Sequence, residues 1–110
     1  MVALARAAGA QEAPRAADAQ LRAFAATVVQ IERIRDEVAA ELALPENKTV
    51  ERQAELRDRM KSRIVQAIKS HGLTQALYDR FEYLVTTDEE WRVVFERRLA
   101  TARGPAQGPR

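Results

Sequence analysis

Apolar residues recur every three or four positions through most of the chain, which is the spacing of one face of an α-helix. The pattern predicts a first helix from about Asp18 to Leu44, with Asp18 as its N-cap. Pro45 disfavours helical geometry at Leu44, so this helix should end there. Its inward side chains are expected to be Leu21, Phe24, Val28, Ile31, Ile34, Val38 and Leu42.

A second helix is predicted from about Val50 to His71, with Asn47 or Thr49 as its N-cap. The short connection LPENKT should fold the two long helices into an antiparallel hairpin. The inward residues of the second helix are expected to be Leu56, Met60, Ile64, Ala67 and Ile68.

The stretch Lys69–Leu84 holds the only histidine and is predicted to be a joint between helices. Gly72 supplies the left-handed residue that ends many helices, and Leu73 sits where the hydrophobic contact of such a C-cap is made. Thr74 should cap a third helix. His71 should interact favourably with the partial negative charge at the C-terminal end of the second helix. In the third helix Leu77, Phe81 and Leu84 should face inward, with Tyr78 beside them.

The segment TTDEEW predicts the start of a fourth helix, with Thr87 and Glu90 as a capping box. Its apolar stripe is Trp91, Val94, Phe95 and Leu99, and we find no strand signal of useful length. The predicted fold is therefore all-α, a small bundle of two long antiparallel helices plus two short ones folded over an end. The domain should span residues 18–101, with Phe81 and Trp91 buried between the short helices and the hairpin. The expected core is Phe24, Ile31, Ile68, Phe81, Trp91 and Phe95.

Charged residues alternate in sign and sum to a formal net charge of +2, from 18 basic and 16 acidic residues. This pattern favours solvated helix faces with ion pairs such as Glu55–Arg59 and Asp58–Lys61. A nucleic-acid groove needs a patch of one sign, so no nucleic-acid partner is expected. The joint nevertheless has a helix-turn-helix rhythm, which keeps a small cytoplasmic DNA-binding regulator as the alternative.

That alternative is weakened by the third helix, which would present Asp79 and Glu82 with only Arg80 to phosphates.

The sequence offers no set of residues for catalysis, a metal or a cofactor. It has no cysteine, and His71 has no second histidine to share a metal with. The paired carboxylates Glu37 and Glu41 lack the histidines of a di-metal bundle site. Phosphate-binding glycine motifs and a nucleophile elbow are also absent from the sequence. We therefore predict a protein that is not an enzyme.

The two ends of the chain carry different expectations. Ala8-Gly9-Ala10 before Gln11 has the small-x-small form of a signal-peptidase site, so residues 1–17 are either the remnant of an export signal or a disordered N-terminus. No apolar run approaches the ~20 residues that cross a membrane. Residues 102–110, which contain Arg103 and Arg110, are predicted to form a disordered tail.

Several of these residues together resemble a bacterial family known as a domain of unknown function, the DUF4168 type. The matching residues are Phe24, Ile31, Ala67, Ile68, Gly72, Leu73, Thr74, Tyr78 and Asp88. The resemblance covers about Leu21 to Leu99, and Trp91 departs from it where the family more often has leucine. It implies a small helical domain, usually behind a signal peptide, and supplies no catalytic residues.

The sequence-based expectation is thus a non-enzymatic helical domain, periplasmic or secreted, that works by contact with another protein or a cell-envelope component. If the N-terminus is complete, the domain is cytoplasmic. Neither the partner nor the oligomeric state follows from the sequence.

Overall fold

A computed structural model describes the backbone of residues 2–104 and the side chains of residues 18–104. Over these residues the fold consists of four α-helices and no strand, which confirms the predicted all-α bundle. A single 3-10 turn, Pro45–Asn47, joins the first two helices. The helices are α1 (Val2–Ala43), α2 (Val50–Ser70), α3 (Gln75–Thr87) and α4 (Glu89–Arg103).

The helices α1 and α2 form an antiparallel hairpin, because later residues of α2 contact earlier residues of α1. Arg63 on α2 pairs with Glu37 on α1 at 2.6 Å. Further along α2, the ring Nε2 of His71 lies 2.8 Å from Oε1 of Gln30. Apolar side chains fill the space between the helices, as the two stripes predict. The fully buried members are Ile31, Ile34, Val38, Leu56, Ala67 and Ile68.

The other half of the core is an aromatic cluster where α3 and α4 pack against α1. Phe24 on α1 is its centre and is 1% exposed. Its ring centroid lies 5.1 Å from Tyr78, 5.4 Å from Phe81 and 5.3 Å from Phe95. Phe81 in turn lies 5.7 Å from Trp91. The short helices therefore pack along the side of α1 as well as against the end of the hairpin.

The joint between α2 and α3 has the hydrogen bonds of a Schellman motif. Gly72 has a φ of 77°, its N–H donates to the Lys69 carbonyl at 2.9 Å, and the Leu73 N–H donates to the Ile68 carbonyl at 3.1 Å. Leu73 is buried, and the Thr74 hydroxyl accepts from the Leu77 N–H at 3.1 Å to begin α3. The chain thus ends one helix and starts the next within four residues.

Three expectations about helix ends are wrong. Asp18 lies inside α1, which begins at Val2, since the alanine-rich segment before it is strongly helix-forming. The N-cap of α4 is Asp88, whose carboxylate accepts from the Glu90 and Trp91 N–H groups, while Thr87 ends α3. The predicted start of the tail at residue 102 is wrong, because α4 continues to Arg103 and Gly104 ends it with a φ of 80°; the rest of the predicted tail, residues 105–110, lies outside the described residues.

Burial on α4 is lower than its apolar stripe predicts. Trp91 and Phe95 are partly buried and pack against the core, and α4 has no fully buried residue. Val94 is 37% exposed. On α3 the fully buried pair is Phe81 and Val85, where the sequence pattern predicted Leu84 as the last inward residue.

Candidate functional site at the hairpin tip

The connection between α1 and α2, residues 44–50, presents apolar side chains to solvent and is called the hairpin tip below. Val50 is 81% exposed, the highest value among the large hydrophobic side chains that the structure describes as exposed. Leu44 is 43% exposed, and Pro45 beside it is also exposed. Neither Leu44 nor Val50 belongs to the apolar stripes of the core. The tip therefore carries a small apolar surface that the fold itself does not use.

The backbone of the tip is fixed by Asn47, which is buried although its neighbours are exposed. Its amide Nδ2 donates to the Glu41 carbonyl at 2.8 Å, and its Oδ1 accepts from Nε of Arg52 at 3.0 Å. The Glu41 carbonyl is in the last turn of α1, where helix carbonyls have no partner within the helix. Asn47 thus closes the end of α1 and ties it to the start of α2.

Gln53 and Thr49 complete this polar network. Nε2 of Gln53 donates to the carbonyls of Leu42 at 3.2 Å and Asn47 at 2.6 Å. The Thr49 hydroxyl accepts from the Arg52 N–H at 3.2 Å, which makes Thr49 the N-cap of α2. Because buried polar groups are costly when unpaired, each of these contacts disfavours other conformations of the loop. The tip is consequently an ordered surface.

The charges around the tip are mainly acidic. Glu46 and Glu51 are exposed on either side of the loop, and Lys48 is the one exposed cation between residues 44 and 51. Arg52 is neutralised by Glu55, whose Oε2 lies 2.9 Å from Nη1. This pair replaces the expected contact between Glu55 and Arg59. The apolar patch is bordered by the carboxylates of Glu46 and Glu51, which have no ion-pair partner among the described residues. Such a surface is complementary to an apolar pocket with basic side chains at its rim.

The residues predicted to form the joint are brought together, about one helix length from the tip. Gly72, Leu73 and Thr74 make the turn, and Tyr78 packs against Phe24. Burial, and next the carboxylate of Glu82, raise the pKa of Tyr78 above its ordinary value, which favours the neutral phenol. Of these joint residues, Leu73 and Tyr78 contact the core, while Gly72 and Thr74 are exposed and shape the turn.

His71 is half-buried at the end of α2 and contacts Gln30 on α1. Its backbone N–H donates to the Ala67 carbonyl at 3.3 Å. The Gln30 side chain is neutral, so it cannot act as the carboxylate that orients a catalytic histidine. We assign His71 to the attachment of α2 to α1.

Replacing His71 by glutamine should therefore leave partner binding unchanged. A glutamine amide can still donate to Gln30, so we expect the free energy of unfolding to fall by at most about 1–2 kcal/mol. Urea denaturation gives the stability, and the crosslinking assay described below gives the binding. A well-folded His71→Gln protein that has lost binding would contradict this assignment.

An open cleft of about 450 Å³ lies where the end of α4 meets α1. Charged side chains of both signs line it, together with one valine, and Arg103 forms an ion pair with Glu32 at 2.9 Å. A second α1–α4 contact joins Arg98 to Asp18, which Arg22 also contacts. The lining is Val29, Glu32, Arg33, Arg35, Asp36 and Arg103, which includes no nucleophile and no histidine. The ion pair with Glu32 attaches Arg103 to α1, so this residue is part of the fold. The residues that line the cleft do not form a group suited to catalysis.

Two other kinds of site, a metal centre and a membrane-spanning segment, are absent from the described residues. Within residues 18–104, no group of three or more histidine, cysteine, aspartate or glutamate side chains is placed to hold a metal ion. Across the described helices, no segment has the length and apolar character needed to cross a membrane.

Sequence reasoning missed the role of Asn47 and Gln53. The sequence predicts Asn47 only as a possible helix cap and carries no prediction for Gln53. The available signal was indirect: Leu44 and Val50 are apolar but lie outside both helical stripes, on either side of a loop rich in polar residues.

The fold and its joint define a small helical-bundle domain. A family model described as "Domain of unknown function (DUF4168)" matches residues 17–93, which is more than half of the chain. The chain belongs to this family, and the resemblance inferred from the sequence is confirmed. Neither curated proteins nor solved structures gave a match.

Proposed function

We propose that this chain is a non-enzymatic binding domain that contacts a partner protein through the hairpin tip. The observation that carries the proposal is the combination of exposed Leu44 and Val50 with a loop fixed by the buried Asn47. Asn47 closes the end of α1, but a loop that only connects two helices does not need Leu44 and Val50 on its surface. An ordered apolar surface binds with a smaller entropic cost than a flexible one, because its conformation is already set.

The partner's chemistry follows from the border of the patch. The carboxylates of Glu46 and Glu51 are exposed and have no ion-pair partner among the described residues. A partner with an apolar pocket and lysine or arginine at its rim would complement both features. An anionic membrane surface would be repelled by the same carboxylates. We therefore favour a protein over lipid as the envelope component.

The absence of enzymatic activity is part of the proposal. It is supported by the neutral Gln30 side chain that contacts His71 and by a cleft whose lining of charged side chains and one valine includes no nucleophile. The alternative of a DNA-binding regulator has no comparable support. The outward residues of α3 include Asp79, Arg80 and Glu82, so the helix that would enter the major groove presents two carboxylates and one cation.

Export from the cytoplasm is also proposed, on the small-x-small sequence Ala8-Gly9-Ala10 and on the resemblance to a family usually found behind signal peptides. Expression from the native locus, followed by fractionation and N-terminal sequencing, tests it. We expect a processed chain outside the cytoplasm that begins near Gln11. An unprocessed cytoplasmic chain would contradict it.

Site-specific photocrosslinking tests the binding function. The photoreactive residue p-benzoylphenylalanine is placed at Leu44, and at Glu82 on the outward face of α3 as the control, in cells of the species that encodes the chain. Both positions are exposed, so local access is matched. We expect a discrete crosslinked protein from position 44 and none from position 82. Equal products from both positions, or none from position 44, would contradict the proposal.

A further inference from the structure

A second surface of the hairpin carries its own pattern, on the side of α2 that faces away from α1. Six exposed residues recur there at spacings of three and four, the spacing used when one helix packs along another. These residues, called the α2 row below, are Glu51, Ala54, Asp58, Lys61, Val65 and Lys69.

The charges of the α2 row are unused within the described part of the chain. Other α2 charges are engaged: Arg52 pairs with Glu55, and Arg63 with Glu37. None of the ion pairs or side-chain hydrogen bonds of the described residues includes the four charged members of the row. The expected pair between Asp58 and Lys61 is likewise not formed. The row therefore presents four free charges on one helix face.

The charges of the α2 row are ordered so that the row is complementary to a second copy of itself running in the opposite direction. Acidic residues occupy the N-terminal half of the row and basic residues the C-terminal half, with Ala54 and Val65 as its apolar members. When a second copy of α2 runs antiparallel to the first, one register places Glu51 one residue, about 1.5 Å along the helix axis, from the position opposite Lys69 of the second copy. The same register places Asp58 opposite Lys61 and Ala54 opposite Val65. A two-fold axis then repeats each of these contacts.

We propose that the α2 row is the interface of an antiparallel dimer between two copies of this chain. In the antiparallel arrangement, the acidic half of one row lies against the basic half of the other. A parallel arrangement would instead place like charges together. The small Ala54 and the 41% exposed Val65 allow the two helices to approach closely. Glu51 borders the hairpin tip and belongs to both surfaces, but Asp58, Lys61, Val65 and Lys69 lie outside the tip, so the two proposals can be tested separately.

Disulfide trapping tests the register, since the native chain has no cysteine. In the proposed register, Ala54→Cys of one copy faces Val65→Cys of the other, so the double variant should form a covalent dimer under mild oxidation. Each single variant places its two cysteines eleven residues apart along the helix pair, about 16 Å, and should stay uncrosslinked.

Sedimentation equilibrium with charge variants tests the energetics. Lys61→Asp converts two attractive contacts into repulsive ones, so we expect the dimer dissociation constant to rise at least about tenfold. Arg59→Asp makes the same charge change on an exposed site outside the row and should leave dissociation unchanged. The exchange Asp58→Lys with Lys61→Asp restores opposite charges and should restore the dimer. Raising NaCl from about 50 mM to about 500 mM should weaken the native dimer.

A native chain that stays monomeric at the lowest salt, or equal effects of Lys61→Asp and Arg59→Asp, would overturn the proposal. So would single cysteine variants that crosslink as well as the double one. If Lys61→Asp does not fold, the cysteine variants still decide the register. Photocrosslinking at Leu44 in the Lys61→Asp monomer separates the two proposals, because partner binding at the tip should persist there.

Discussion

Phe24→Ala should lower the free energy of unfolding by about 3–5 kcal/mol, the usual cost of truncating a buried phenylalanine to alanine. Phe24 is 1% exposed and contacts the rings of Tyr78, Phe81 and Phe95, which come from both short helices. Its removal leaves a cavity between α1, α3 and α4 and ends three aromatic contacts at once. A domain of this size has a total stability of roughly 5–10 kcal/mol. The variant should therefore lose a large part of its resistance to urea.

Urea denaturation followed by circular dichroism measures this effect, and Tyr83→Ala is the matched control. Tyr83 is an aromatic residue on α3 that is 66% exposed, so its removal should change the free energy of unfolding by no more than about 0.5 kcal/mol. Equal stabilities for Phe24→Ala and Tyr83→Ala would show that α3 and α4 do not pack on α1 as described.

Phe81→Ala should also cost about 3–5 kcal/mol, for a related but separate reason. Phe81 is 3% exposed, and its ring lies between Phe24 on α1 and Trp91 on α4. Its loss separates α3 from α4 and leaves the partly buried Trp91 without its ring partner. Tryptophan fluorescence should therefore shift to longer wavelength in this variant, while Phe24→Ala should move it less.

The double variant of Phe24 and Phe81 tests whether the two rings act as one cluster. Because they share a contact at 5.4 Å, the combined loss should be smaller than the sum of the single losses by about 0.5–3 kcal/mol. Additive losses would mean that the two rings contribute independently and would contradict the described packing.

The helices themselves could be predicted from the sequence because each leaves a periodic pattern. The stripe through Phe24, Ile31 and Val38 follows from the α-helical repeat alone. Pro45 ends α1 because it disfavours helical geometry at the residue before it, and Gly72 ends α2 because glycine readily adopts a positive φ. These are local effects, so neighbouring residues are sufficient to reveal them.

The remaining features depend on contacts between distant segments. Asp18 was expected to cap α1, yet it contacts Arg98, eighty positions later, and that contact exists only once α4 packs on α1. Trp91 and Phe95 repeat at helical spacing, but how deeply they are buried depends on how α4 lies against α1. The network of Asn47 and Gln53 depends on carbonyl positions at the end of α1, which a residue pattern does not encode.

The dependence of crosslinking at Leu44 on Asn47 tests the central claim, that the tip binds a partner because its backbone is held in one conformation. Asn47→Ala removes the donor to the Glu41 carbonyl and the acceptor for Arg52. Lys48→Ala, at the exposed neighbouring position, leaves both contacts in place and is the control. With helix content unchanged by circular dichroism, the crosslink yield should fall several-fold in Asn47→Ala and stay constant in Lys48→Ala. An equal yield in the two variants would contradict the account.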